Sequence, residues 1–359
     1  MTAPGAATPS TPDTPGTPNP LPAASEQLPP HLRLMGIAAG KWIAQPVYVL
    51  AKFNVADRLA AGEASTAELA GQLDVRSDPL RRCLRAAASV GVFRETRPDH
   101  WALTDVAECL RTDAPMSLRD FTVLLGEEPM WAPFGGIMRA LRQDGPVFDE
   151  VHGHSMYAHL AQDEELARTY QGAWAPLTRG VMRALSAAYD LSGFGTVADL
   201  GGGDGTALRT LLAEHPGMQG VLMDLPHVRE AYRDTEGEAG ARLRTVAGRL
   251  PVDVPADADA YLLKNTLHCL PPDLVRQTLK RVREEMTRPD QRLLIVEAVL
   301  GTGGGFDWSK LVDIEVMVNN GGREHTLEEW KSLLAETGFR LVSAREVLHP
   351  QWLLEAQAA

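Results

Sequence analysis

The stretch Val197-Ala-Asp-Leu-Gly-Gly-Gly-Asp-Gly-Thr206, followed by Leu222-Met-Asp-Leu225, decides the fold of this chain. An apolar run ends in a cluster of glycines, a helix-like segment follows, and a second apolar run ends on an acid, Asp224. The pattern predicts a buried strand, a turn where no Cβ keeps a ligand from the backbone, and a carboxylate placed for ribose hydroxyls. We therefore expect a site for an adenosine-bearing cofactor.

The acids around this turn distinguish two such cofactors. A dinucleotide pyrophosphate calls for G-x-G-x-x-G at a helix N-terminus, but no glycine stands three residues after Gly203, and Asp204 lies within the turn. Asp199 also precedes the glycines. Two carboxylates repel a pyrophosphate and attract a cofactor that carries an ammonium and a sulfonium. The turn favours S-adenosylmethionine over NAD, and a glycine turn without a ligand is the remaining alternative.

The composition limits the classes of protein to which this chain can belong. The chain has 359 residues, enough for two domains, and its 44% hydrophobic and 23% charged residues are typical of a soluble globular protein. A net charge of −12 argues against a nucleic-acid partner. The three cysteines are far apart and suggest neither a metal site nor a disulfide framework. This cysteine usage predicts a reducing, cytoplasmic location, and with no membrane-spanning run and no signal peptide in the pattern we expect no membrane partner.

The first half of the chain is predicted to be mainly helical. Residues 1–29, rich in Pro and Thr, are expected to be a disordered tail. Helical periodicity over 47–59, a capping box at Ser65–Glu68, a helix over 78–90 and a hairpin over 93–104 make a winged-helix pattern. Its second helix carries three arginines, as a DNA-reading helix would, but nearby acids offset them. An oligomerisation surface is the alternative.

Residues 117–187 continue as helices, and from Val197 strands alternate with helices. The predicted strands are 197–200, 220–223, 243–247, 259–264, 292–298 and 340–346, with helices at 205–214, 226–233, 272–286 and 326–337. This alternation predicts a doubly wound α/β sheet. The aromatic and methionine clusters around Met130, Trp131 and Tyr157 are expected to be core, with some side chains facing a cleft for a planar apolar substrate.

A histidine follows one of these strands. Ala260 to His268 is an apolar strand that runs into a loop, and ligands of open α/β sheets bind beyond the carboxyl ends of the strands. A neutral imidazole there can take a proton from a phenol or enol. Glu297, which ends the next strand, and Glu324, beside a glycine pair, could each accept the second imidazole N–H. A structural histidine is the alternative for His268 considered alone.

Together these residues resemble the small-molecule O-methyltransferases of plant caffeic-acid and flavonoid metabolism and of bacterial polyketide tailoring. The resemblance covers roughly residues 32–350 and is most specific in four segments: Asp199–Gly203, Asp224–Pro226, Leu263–His268 and Gly321–Glu324. It implies a Rossmann-like methyltransferase domain over 191–359, a winged-helix dimerisation and lid domain over 30–190, and a homodimer. It also implies His268 as general base, flanked by Glu297 and Glu324, and no metal.

The resemblance further implies two groups of binding residues. The cofactor-binding candidates are Asp199, Gly201, Gly202, Gly203, Asp224, Leu225, Arg249, Leu250 and Lys264. The candidates for contact with a small-molecule acceptor are Met130, Trp131, Tyr170, Trp174, Asn319 and Asn320, where Tyr170 and Trp174 take positions at which the family has Phe and Met.

Two departures from the family pattern bear on activity. Cys269-Leu270 stands where the family has Asp-Trp after the base, and Arg249 stands where an acid often contacts the adenine. Losing that acid weakens the expected adenine contact, although Leu250 can still pack on the ring. Three other functions stay open: a winged-helix DNA-binding regulator, an NAD-dependent reductase, and a family member that binds cofactor without methyl transfer.

Overall fold

The glycine turn joins a strand to a helix at the middle of a seven-stranded sheet. This is seen in a computed structural model, which describes residues 28–231 and 241–359. Across this sheet the strands lie in the order Leu243–Ala247, Gln219–Asp224, Thr196–Leu200, Ala260–Lys264, Arg292–Ala298, Gln351–Ala358 and Phe339–Leu348. The first five are parallel, and Gln351–Ala358 is antiparallel to both of its neighbours. The predicted doubly wound α/β fold is confirmed. The disordered tail was predicted for residues 1–29, and residues 1–27 lie outside the described part of the chain.

The elements of the described residues have the following bounds. The strands are β1 Ala64–Ser65, β2 Phe93–Arg97, β3 His100–Leu103, β4 Thr196–Leu200, β5 Gln219–Asp224, β6 Leu243–Ala247, β7 Ala260–Lys264, β8 Arg292–Ala298, β9 Phe339–Leu348 and β10 Gln351–Ala358. The helices are α1 Pro30–Ala38, α2 Lys41–Lys52, α3 Val55–Leu59, α4 Thr66–Leu73, α5 Ser77–Ala88, α6 Asp105–Glu108, α7 Arg119–Gly126, α8 Glu128–Gly135, α9 Val147–His152, α10 Met156–Leu160, α11 Glu164–Ala188, α12 Thr206–Glu214, α13 Pro226–Ala231, α14 Pro272–Glu285, α15 Trp308–Asn319 and α16 Leu327–Glu336.

The N-terminal elements form the predicted winged helix. Ser65 and Glu68 make the capping box at the start of α4, and β2 and β3 pair as the hairpin. Trp101 of β3 is fully buried and donates its indole N–H to Thr66 Oγ1. One expectation was wrong in detail. The periodic segment 47–59 is two helices, because Asn54 adopts a left-handed conformation (φ 52°) between α2 and α3.

The arginines of α5 are partly neutralised by neighbouring acids. Arg81 Nε donates to Asp99 Oδ1 at 2.7 Å, and Arg82 lies 2.9 Å from Asp78. Such pairs reduce the basic surface that a DNA-reading helix needs. The absence of a nucleic-acid partner stays a prediction.

Helix α11 connects the two halves of the molecule. Leu166 and Ala173, in its first half, pack with Met130 and Phe148 of the helical layer. Its second half, including Met182, packs against α12 and one face of the sheet. A single long helix thus carries side chains from the helical layer to the carboxyl ends of the strands. The domain boundaries predicted from sequence stay a prediction.

The sequence pattern missed helix α15 and strand β10, as well as the two-residue strand β1. Helix α15 lies between the predicted strand 292–298 and the predicted helix 326–337, and β10 completes a hairpin with β9 and inserts beside β8. In the described part of the chain, no single helix has the length and apolarity to cross a bilayer. One bent pair, α1 with α2, meets those criteria only jointly. The cytoplasmic location stays a prediction.

Candidate active site

A tight turn at the end of β7 presents His268. The chain leaves β7 at Lys264 and enters a 3₁₀ turn over Leu267–Cys269. Three successive amides, those of Thr266, Leu267 and His268, donate to Glu297 Oε1 at 3.0, 2.9 and 3.4 Å. A carboxylate at the end of the neighbouring strand β8 therefore fixes this turn, which explains a charged residue at the end of an apolar strand.

The loop after α15 brings the second carboxylate to the same imidazole. His268 Nδ1 lies 2.6 Å from Glu324 Oε1 and 3.5 Å from Glu297 Oε2. The Arg323 amide donates to the His268 carbonyl at 3.0 Å, and the Glu324 amide donates to Asp313 Oδ1 at 2.8 Å. Of the two acids that could have bound the imidazole, Glu324 makes the short hydrogen bond and Glu297 mainly holds the backbone.

The three side chains are buried and electrostatically coupled. His268 is 7% exposed, and both glutamates are fully buried. Burial acting alone would lower the pKa of His268, but Cys269, Glu297 and Glu324 together raise that pKa well above its ordinary value. Burial, with Glu324 adding to it, raises the pKa of Glu297 to about 7. By distance alone the three could also hold a metal ion; that no metal is needed stays a prediction.

The glycine turn after β4 has room only for glycine at its centre. A Cβ added to Gly202 would lie 2.5 Å from Asp199 Oδ2, and one added to Gly201 would lie 2.7 Å from Thr266 Cγ2. Gly203 has a φ of 59° and donates its amide to Asp224 Oδ2 at 2.7 Å. The turn is thereby tied to the end of β5, and the predicted role of Asp224 toward a ribose stays a prediction.

Beneath the glycines lies a buried carboxylate whose second oxygen is not satisfied. Asp199 is 1% exposed, and its Oδ2 has no hydrogen-bond partner among the described residues. Burial, followed by repulsion from Asp224, raises the pKa of Asp199 to about 7. Lys264 Nζ donates to Thr178 Oγ1 at 2.9 Å, and burial lowers its pKa to about 8. An orphaned buried acid of this kind fits a cationic ligand.

The remaining cofactor candidates lie at the ends of β5 and β6. Asp224 also accepts the Leu225 amide at 2.6 Å. Arg249 is exposed, and its backbone amide donates to Asp253. Leu250 is half-buried and packs against the core beside the sheet. These residues surround the edge where the glycine turn ends.

The acceptor candidates divide into buried and half-buried groups. Met130 is 2% exposed and belongs to the core of the helical layer, with Tyr170 and Trp174 packed against it. Trp131 is half-buried on the same helix as Met130. Asn319 is fully buried and Asn320 half-buried at the end of α15.

Tyr170 is the acceptor candidate most closely tied to the turn that carries His268. Burial and the neighbouring Cys269 raise the pKa of Tyr170 well above its ordinary value. Tyr157 lies against the same two residues. Cys269, which replaces the family's aspartate, is therefore part of this surface.

Three residues were not anticipated. Gln171 faces the glycine turn, because its amide oxygen lies 3.1 Å from where a Gly203 Cβ would be. Thr266 donates its hydroxyl to the Leu200 carbonyl and so couples the two turns. Glu315 accepts the Asn319 amide at 3.0 Å. Only Glu315 had a sequence signal, its spacing of one helical turn from Asn319.

Comparison with known protein families identifies the family of this chain. The O-methyltransferase domain model matches residues 131–340, and the O-methyltransferase dimerisation domain model matches residues 35–113. The chain belongs to the O-methyltransferase family. The phenazine O-methyltransferase of Lysobacter antibioticus is 36% identical over 310 residues, 86% of this chain and 90% of that protein.

Two further similarities bear on cofactor and acceptor. The calicheamicin-biosynthesis methyltransferase CalO1, solved in its SAH-bound form, is 31% identical with a TM-score of 0.78, over 92% of this chain and 98% of that one. The 8-amino-8-demethylriboflavin N,N-dimethyltransferase of Streptomyces davaonensis is 31% identical over 86% of this chain and 88% of that protein. The chain is thus an S-adenosylmethionine-dependent methyltransferase with an N-terminal dimerisation domain.

Proposed function

We propose that this enzyme methylates a hydroxyl of a small aromatic or polyketide-like molecule, with His268 as the general base. The observation that carries the proposal is the 2.6 Å contact between His268 Nδ1 and Glu324 Oε1. An imidazole whose Nδ1–H is held by a carboxylate has its lone pair on Nε2, which can take a proton from a substrate hydroxyl.

The buried cluster supplies the base strength. Since the surrounding acids raise the pKa of His268, its neutral form is a stronger base, and the fraction of enzyme in that form increases as pH rises toward this pKa. Glu324 stabilises the imidazolium that forms, and Glu297 keeps the turn in place through three backbone amides. General-base assistance of this kind contributes about 10²–10⁴ in rate.

The cofactor residues follow from the chemistry of the glycine turn. Asp199, with its orphaned buried oxygen, and the turn Gly201–Gly203 would receive the amino-acid end of S-adenosylmethionine. Asp224 and Leu225 would face its ribose, and Arg249 and Leu250 would lie toward the adenine. The positive charge of Lys264 would partly neutralise the Asp199 carboxylate. When bound, the cofactor supplies an electrophilic methyl group on sulfur.

The acceptor would lie between the helical layer and the turn that carries His268. Tyr170 and Trp174 of α11, with Met130 and Trp131 of α8, would supply its apolar wall, and Asn319 and Asn320 its polar edge. Two aromatic side chains of this wall, Tyr170 and Trp174, meet edge to face with ring centroids 6.4 Å apart, and aromatic surfaces of this kind favour a planar aromatic acceptor.

A homodimer is part of the proposal. Helices α1 and α2 expose a run of large apolar side chains that one chain by itself leaves in water: Leu34, Met35, Ile37 and Trp42, each between 63% and 71% exposed. Such a contiguous apolar surface marks an interface, and it begins at the start of the matched dimerisation domain. Analytical ultracentrifugation should give twice the chain mass.

A turnover screen tests the function. Purified enzyme, S-adenosylmethionine and a panel of phenols, hydroxyquinones and arylamines should give a mono-methylated phenol or hydroxyquinone, identified by mass spectrometry and NMR. The relative that methylates an amine makes nitrogen the alternative acceptor, and the NMR distinguishes it.

The base is tested with His268→Ala. We expect kcat to fall by at least about 10²-fold while affinity for S-adenosylhomocysteine, measured by calorimetry, stays within about threefold. An unchanged kcat would contradict the role of His268. Cofactor binding without turnover of any panel member would contradict the O-methylation itself.

A further inference from the structure

The acceptor side of the site contains a carboxylate that the proposed mechanism does not use. Glu315 lies on α15, one helical turn before Asn319, and α15 leads directly into the loop that brings Glu324 to His268. Asn319 Nδ2 donates to Glu315 Oε1 at 3.0 Å. Because residues four apart share a face of a helix, these two side chains point the same way.

The charges that act on Glu315 relate it to His268, the proposed base. Burial is the main cause of the raised pKa of this carboxyl, and the charges of both His268 and Glu324 act on it. Its own charge in turn helps to raise the pKa of Tyr170. Helix α15 also packs against α8 and α9 of the helical layer, and this packing, together with those charges, places Glu315 between the base and the predicted acceptor wall.

One oxygen in this pair is buried without a donor. In the part of the chain that the structure describes, the Glu315 carboxylate receives one hydrogen bond, that from Asn319, on one oxygen. Asn319 is 1% exposed, and its Oδ1 has no hydrogen-bond partner there. Burying an acceptor without a donor is costly, so a ligand that brings N–H groups would satisfy what the protein leaves unsatisfied.

The charge balance points to the same ligand chemistry. Glu297 and Glu324 contact one imidazole, the charge of that imidazole also acts on Glu315, and all three carboxylates are at least partly buried. A phenol that carries no further donor would leave this excess of acceptors uncompensated. An amino group offers at least two N–H donors and, when protonated, a compensating charge.

We propose that Glu315 is a specificity-determining residue that binds an amino group on the methyl acceptor, and that Asn319 positions its carboxylate. The inference rests on the proposed O-methylation and narrows its substrate class to amino-substituted phenols or hydroxyquinones. The methylated oxygen lies at His268, and the amino group lies toward α15.

The test compares acceptors that differ in the amino group alone. The probes are phenol and its 2-, 3- and 4-amino derivatives, and NMR counts the O-methyl product only. We expect wild-type kcat/KM to be about 10- to 100-fold higher for the amino isomer that reaches Glu315 than for phenol. Glu315→Gln keeps the size of the side chain and the hydrogen bond from Asn319, and should remove most of this preference while leaving phenol within about threefold.

Two further variants separate recognition from structure. Glu328→Gln, which removes an exposed carboxylate of α16 paired with Lys331, is the matched control and should keep the full preference. Asn319→Ala should lower kcat/KM for the aminophenol by a larger factor than for phenol, whereas a merely structural role would lower both by the same factor.

The two proposals fail in different ways. If phenols are methylated but the amino group gives no preference, or the preference survives in Glu315→Gln, the inference about Glu315 is overturned and O-methylation stands. If no probe is methylated, calorimetric titration of the SAH complex decides: a preference for aminophenol that Glu315→Gln removes supports the inference, and equal binding of phenol and aminophenol overturns it.

Discussion

Gly322 packs against the main chain of the residue that carries the proposed base. A Cβ added there would lie 2.8 Å from the carbonyl carbon of His268 and 3.1 Å from that of Cys269, and closer still to the His268 carbonyl oxygen. The obstacle is backbone rather than a flexible side chain. Gly322 does not have a positive φ, so an alanine is acceptable to its backbone and the effect of Gly322→Ala is steric.

The magnitude follows from the displacement this overlap demands. Relieving it takes a movement on the order of 1 Å of the Gly321–Glu324 loop or of the His268 turn, and a 1 Å error in a catalytic constellation costs about 10²-fold. The Arg323 amide to His268 carbonyl bond lies at this point of contact, and the 2.6 Å contact of Glu324 with the imidazole is two residues away. Both should lengthen.

Steady-state kinetics with the best acceptor of the panel is the assay. We expect kcat to fall by about 10²-fold while affinity for S-adenosylhomocysteine stays within about threefold, because the glycine turn is not part of the contact. Gly304→Ala is the matched control, since its Cβ would meet nothing within 4 Å, and it should retain kcat. A thermal melt separates local displacement from unfolding. A folded Gly322→Ala enzyme with wild-type kcat would refute the reasoning, because Glu324 would then not need its position.

Three further outcomes follow from the charges of the site. Glu324→Gln removes a charge-assisted hydrogen bond worth about 1.5–3 kcal/mol, so kcat should fall about 10- to 150-fold; since this carboxylate raises the pKa of His268, the rising limb of the pH–kcat profile should also move to lower pH, and an unmoved limb would count against the pairing. The pKa of Asp199 is raised to about 7, so cofactor affinity should increase as pH rises from 6 to 8, and that increase should vanish in Asp199→Asn. In the unliganded protein the same shift stabilises the fold at low pH, and this stabilisation is lost as pH rises toward 7. A pH series of thermal melts would measure that loss. Asp224→Ala should weaken S-adenosylhomocysteine binding by about 1–3 kcal/mol through lost charge-assisted hydrogen bonds, and a calorimetric titration without that loss would remove Asp224 from the ribose site.

The sequence predicted those parts of the site that depend on local chemistry. The glycine turn and the acids around it are contiguous, and the rule that parallel strands end at one edge of a sheet placed Asp224, His268 and Glu297 together. Its failures have local causes too. The periodicity of 47–59 is unbroken in the pattern, and Asn54 interrupts the helix by a backbone conformation that periodicity does not encode.

The fold class, the cofactor turn and the residue types of the candidate base and its acids could be derived from the order of the amino acids, because strand pattern, turn chemistry and donor type are properties of short segments. Only the tertiary structure decided which glutamate holds the imidazole and that Glu315 lies where the charges of His268 and Glu324 act on it. The first is a distance between residues 56 positions apart, and the second depends on how α15 rotates against its neighbours. The strength of a hydrogen bond changes when the distance between donor and acceptor changes by a few tenths of an ångström. The spacing of residues along the chain does not fix such distances.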